Sequence, residues 1–182
     1  MLFIVNLLPI DLLCGIVHIP PENSVDGSVD IFDEIVEKLV HVTVNKNYQV
    51  CLLGDFNAHT GTHDDFIIVN DAILVSLLID ENSRKHMNSI NTLCELGIPI
   101  QRYSKDISHI NNYGYKLLEF CKSSDLEFCK SSDLYIVNGR ISNDQYVGAA
   151  TTSKTHLLIM QLCHLCYSNV SHTSILLSLI RF

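Results

Sequence analysis

In this 182-residue chain, the stretch Gly54-Asp55-Phe56-Asn57-Ala58-His59-Thr60-Gly61 places a carboxylate and a carboxamide two residues apart. An Asp can hold a hard cation or accept a proton from water, while an Asn can donate to a phosphate oxygen and still accept elsewhere. If both follow a strand, the spacing of two sends them to the same side of the sheet. The competing reading is a strand-to-loop turn in which glycine supplies backbone freedom and Asp and Asn cap the loop. His59 and His63 flank Asp64-Asp65 and could approach a metal, although a surface loop explains them as well. Cys163-His164-Leu165-Cys166 has C-x-x-C spacing with His172 nearby. A structural zinc site needs four ligands, and with no second pair these read as thiols.

These residues need elements to position them. Residues 12–18 (LLCGIVH) form a nearly continuous apolar run, which predicts a strand buried on both faces and stopped at Pro20-Pro21. The residues before them predict a paired strand rather than a signal peptide, since no Lys or Arg precedes the apolar run and Asn6, Pro9 and Asp11 interrupt it. Apolar positions Ile31, Phe32, Ile35, Val36, Leu39 and Val40 predict a helix over 29–42. Its acidic residues Asp30, Asp33, Glu34 and Glu37 read as a solvated face. A second buried strand is expected at 49–53, running into the GDFN stretch. Further expectations are a short helix at about 90–96 ended by Gly97 and Pro99, and a turn at 111–114 or a helix from about Tyr115. A strand at 134–137 and a last apolar run at 175–180 follow. Strand, helix and strand with full burial point to α/β layering. The octapeptide EFCKSSDL occurs at 119–126 and again, unchanged, at 127–134. Two copies are too few for a solenoid, so the extra copy is expected at the surface.

The formal net charge is −8, with 12 Lys plus Arg against 20 Asp plus Glu. That balance excludes a polybasic protein that binds mainly by neutralising phosphates. Hydrophobic residues make up 47% and charged residues 18%, enough for one core in a single domain over 1–182. Seven cysteines, an odd number, argue against a disulfide framework and for an intracellular, reducing compartment, cytoplasm or nucleus. No run reaches the ~20 apolar residues of a membrane span, so no membrane partner is expected.

HIPPENS at 18–24, GDFNAHTG at 54–61, NNYGYKLLEFC at 111–121, SDLYIVNGRI at 132–141 and Val147-Gly148-Ala149-Ala150-Thr151 follow one another in that order. This succession resembles the endonuclease/exonuclease/phosphatase superfamily, specifically the apurinic-like endonuclease domain of non-LTR retrotransposons, well matched over 1–151 and degenerate over 152–182. The resemblance implies a four-layered α/β sandwich, two mainly antiparallel sheets flanked by helices. It also implies Mg²⁺-dependent hydrolysis of phosphodiesters in DNA by an activated water. Asp55 would orient or deprotonate that water and offer a weak, incomplete metal site, and Asn57 would hold a phosphate oxygen. His18 falls where the family has a phosphate-contacting Tyr, and Thr151 matches a threonine facing nucleic acid. The family's upstream Asn and metal-binding Glu have no counterpart here. Ser171-His172 matches its S-D-H motif with the Asp lost, leaving His172 as a base without its carboxylate. The expectation is therefore a sandwich incomplete at both ends, marginally folded or self-associating, with impaired catalysis. The alternatives are a non-catalytic remnant, or a phosphomonoesterase or phospholipid phosphodiesterase of the same superfamily. Arg84, Lys85, Arg102 and Lys105 form a modest basic group that could meet a backbone.

Overall fold

The computed structural model describes residues 2–7, 10–43, 48–66, 90–95, 97–106, 109–122, 134–140 and 157–161. Its first two strands, β1 (Leu2–Leu7) and β2 (Ile10–His18), pair antiparallel from Leu2↔Gly15 to Leu7↔Ile10. Strand β2 then lies parallel to β3 (Gln49–Asp55), in register from Leu12↔Gln49 to His18↔Asp55. Parallel neighbours need a long crossover, and helix α1 (Ile31–Thr43) supplies it. Beyond β3 come β5 (Leu157–Gln161) and β4 (Leu134–Ile136), each pairing antiparallel, for a sheet order β1-β2-β3-β5-β4. The chain is thus a mixture of helices and strands, and three of the four pairings in this sheet are antiparallel.

Alternation along the strands sorts the apolar residues onto two faces. Leu13, Val17, Val50, Leu52, Leu134 and Ile136 face one cluster. There they meet Phe32, Ile35 and Leu39 of α1, and Tyr113, Leu117, Leu118 and Cys121 of a helix at Asn112–Lys122. The other face gathers Leu12, Cys14, Cys51, Leu53, Tyr135 and Val137 against Phe66, Ile98 and Leu93 of the short helix α2 (Ile90–Glu95). The helix at Asn112–Lys122 is α3. The expected burial of 12–18 on both faces holds for Leu12 to Gly15, whereas Ile16 is 50% exposed and His18 is exposed too.

Local chemistry sets the helix boundaries. Ser28 opens α1: its Oγ accepts from the Asp30 N–H at 3.2 Å and donates to Asp30 Oδ2 at 3.0 Å. Helix α2 stops where expected, with Gly97 at φ 64° and the Ile98 N–H donating back to the Leu93 carbonyl at 2.8 Å. Helix α3 begins at Asn112, three residues before Tyr115, because Asn111 Oδ1 accepts from the Gly114 N–H at 2.8 Å and caps it. The first octapeptide copy ends α3, with Phe120 and Cys121 buried, and the last residue of the second copy, Leu134, opens β4. The eleven residues between these elements, the run at 175–180 and the segment 67–89 lie outside the described residues. No helix among the described residues is long and apolar enough to cross a membrane.

Candidate functional site

The end of β3 is held tightly against β2. A Cβ on Gly54 would come within 1.8 Å of the Val17 carbonyl oxygen, so only glycine permits this approach. The pairing continues past the last residue of β2, with the Ile19 N–H donating to the Asp55 carbonyl at 2.8 Å. His18 and Asp55 are register partners, so exposed His18 and half-buried Asp55 stand side by side at the C-terminal ends of two parallel strands. Open α/β sheets place their ligand sites at such ends.

Beyond Asp55 the chain turns. Asp55 Oδ1 accepts from the Asn57 N–H at 3.1 Å, and Asn57 has φ 47°, the one positive value among described non-glycine residues. This is an Asx turn. Because β3 ends at Asp55, Asn57 lies past the pleat, and its nearness to Asp55 comes from the turn rather than from strand alternation. Asn57 Nδ2 donates to the Ile19 carbonyl at 2.8 Å, which leaves one amide N–H and the amide oxygen without a hydrogen bond among the described residues.

Asn111 fastens the loop from behind. Its Nδ2 donates to the Asn57 carbonyl at 2.9 Å, and its Oδ1 accepts from the His59 N–H at 2.9 Å as well as from Gly114. One side chain therefore joins the loop to the first turn of α3. A Cβ on Gly114 would sit 2.1 Å from the His59 carbonyl oxygen, so glycine is required there too. His59 Nδ1 lies 2.8 Å from Asp106 Oδ2, with the His59 side chain 33% exposed and that of Asp106 9%.

The loop's far end is locked by charge. Arg140 is buried and uses all five of its N–H donors. Nη1 donates to Asp65 Oδ2 at 2.7 Å and to the Ile136 carbonyl, Nη2 to Asp65 Oδ1 at 2.7 Å and to the Ile100 carbonyl, and Nε to the Pro99 carbonyl. Asp65 Oδ2 also accepts from the Ile136 N–H at 2.7 Å. Nearby, Arg102 donates from Nη2 to the His63 carbonyl at 2.7 Å and from Nη1 to Thr60 Oγ1 at 3.3 Å, while its Nε, 3.9 Å from Asp65 Oδ1, makes no hydrogen bond among the described residues. Burial pulls the Arg102 guanidinium below its usual range, Asp65 partly offsets this, and Arg140 adds to the lowering. Arg102 is thus part of the interior, not of a basic surface that could meet a phosphate backbone, while Lys105 is exposed.

Of the residues the sequence singles out, His18, Asp55 and Asn57 come together at one mouth. Thr151, His172, Arg84, Lys85, Cys163 and Cys166 lie outside the described residues. His59 and His63 do not share a site: His59 pairs with Asp106, and His63 is an exposed side chain whose carbonyl holds Arg102. The pairings of Asp106 with His59 and of Asp65 with Arg140 carried no signal in spacing, because the partners lie 47 and 75 residues apart in sequence. Asn111 did carry one, an Asn ahead of an apolar helical period. An open groove of about 290 Å³ between α1 and the sheet, lined in part by Val17, Ile35, Lys38 and Leu52, reaches the mouth's edge at His18.

The described residues do not compose a protein-only metal site, for no group of three or more His, Cys, Asp or Glu is placed to hold an ion. At the mouth one carboxylate is present, and one of its two oxygens is engaged by Asn57. Comparisons with protein-family models, with curated proteins and with solved structures find no match to this chain.

Proposed function

We propose that the chain is an endonuclease-like domain of the endonuclease/exonuclease/phosphatase superfamily, derived from a non-LTR retrotransposon. Its ancestral chemistry is Mg²⁺-dependent hydrolysis of DNA phosphodiesters, and its catalysis is impaired. The observation that carries this reading is the placement of His18, Asp55 and Asn57 at the C-terminal ends of two parallel strands. Asp55 Oδ2, which has no contact among the described residues, would take a hard cation or a water proton. The second N–H of the Asn57 amide is open for a phosphate oxygen, and the His18 ring can donate to the same group. Mg²⁺ would have Asp55 as its one carboxylate among the described residues and would depend on substrate phosphates and water for the rest, hence weak binding. The four-layered sandwich belongs to this proposal, as do Thr151 and His172 as substrate-facing and basic residues. The test is nicking of supercoiled plasmid at millimolar Mg²⁺. The expected result is slow nicking that Asp55→Ala abolishes. Nicking that persists in Asp55→Ala would overturn the assignment.

The second reading, a non-catalytic remnant, is favoured by the structural duties of the same side chains. Asp55 caps the turn and Asn57 pins Ile19, so both residues serve the fold in the absence of any reaction. No nicking and no Mg²⁺-dependent rise in melting temperature would select it.

A further inference from the structure

On the sheet face opposite α1 and α3, two cysteines stand directly across from each other. Cys14 of β2 and Cys51 of β3 are register partners on adjacent parallel strands. Both project into the same apolar cluster, at 8% and 7% exposure, so they lie just beneath the surface. Neither is in a disulfide, and the two thiols share a hydrogen bond. We propose that Cys14 and Cys51 form a dithiol site for a thiophilic trivalent metalloid, a monosubstituted arsenical being the simplest member of the class. This site is independent of the mouth formed by His18, Asp55 and Asn57.

Distance and charge select that class. Opposed residues on neighbouring strands lie ~4.8 Å apart with their side chains parallel, a Cα separation inside the ~4.4–6.8 Å range of disulfides but one that keeps the Cβ atoms farther apart than the ~3.8 Å a disulfide favours, so a direct sulfur–sulfur bond carries some distortion. A single atom bonded to both sulfurs spans the gap without that distortion. The surroundings, including Leu12, Leu53 and Phe66, are apolar, and a charged complex there is costly. Zinc would want four ligands, and no third joins these two among the described residues. The arsenical adduct is neutral. In its formation two As–O bonds of R–As(OH)₂ break and two As–S bonds form. Each thiol proton leaves with a hydroxide as water, and no electrons are transferred.

The test treats the reduced full chain with phenylarsine oxide in excess monothiol, followed by digestion and mass spectrometry. The expected product is a peptide pair carrying Cys14 and Cys51 bridged by one arsenic. It is absent from Cys14→Ser and Cys51→Ser and retained in Cys121→Ala. The arsenical should also raise the melting temperature of the natural chain, since it binds the native pairing, and each serine variant should lose that rise. Arsenic confined to Cys163 and Cys166, or Cys14 and Cys51 recovered as free thiols or as a disulfide, would overturn the proposal. If a serine variant fails to fold, the bridged pair from the natural chain decides.

Discussion

Asn111 does more for the candidate site than its place in an Asn-Asn-Tyr-Gly turn suggests. It caps α3 and holds two backbone groups of the loop after β3, so a single truncation releases three hydrogen bonds. Asn111→Ala is expected to lower stability by about 2 kcal/mol, a cap plus a share of unpaired loop groups. Asn111→Asp, which keeps the acceptor, should recover part of it in urea denaturation. The thiols offer a second residue-scale contrast. Burial pushes the Cys121 thiol far above its usual range, whereas Cys94 is exposed. A thiol reagent under native conditions should therefore modify Cys94 rapidly and Cys121 only as the chain unfolds, followed by peptide mapping.

At the scale of elements, the β2–α1–β3 unit was readable from the chain because each part repeats its own period: buried runs for strands, the 3.6-residue period for α1. The end of β3 depends on contacts between elements. Gly114 lies where α3 meets the loop, and a methyl there would strike the His59 carbonyl. Gly114→Ala is expected to cost about 1–3 kcal/mol and to shift α3 away from the loop, seen as faster amide exchange at His59. Strand β5 shows the reverse limit. Its five residues, Leu-Leu-Ile-Met-Gln, have no period and lie in a stretch the sequence left without pattern. A short continuous apolar run serves a buried strand or a buried helix equally, and only pairing with β3 and β4 decides.

For the molecule as a whole, the buried Asp65–Arg140 pair ties the loop after β3 to β4 and to residues 99–100. Removing one partner leaves the other charged and dry. Asp65→Ala is expected to destabilise by about 3–5 kcal/mol, while replacing both by apolar residues of similar size should cost less; thermal melts of the single and double variants check this. Because Asp65 also offsets part of the burial of Arg102, its loss takes from both guanidiniums the carboxylate they share. Mg²⁺ provides the global readout of the functional proposal. A rise in melting temperature at millimolar Mg²⁺ that disappears in Asp55→Ala marks a native-state site at the mouth.

The sequence alone determined the types of residue that could meet a phosphate and the strand that delivers them, because local periodicity and turn chemistry act over a few residues. It could not determine which polar groups end up dry. His59 finds Asp106 and Arg140 finds Asp65 only after the chain has folded back on itself, and Arg102, a surface cation by composition, becomes an interior one. Burial and long-range partners are properties of the packed whole, and they fix what each charge is free to do.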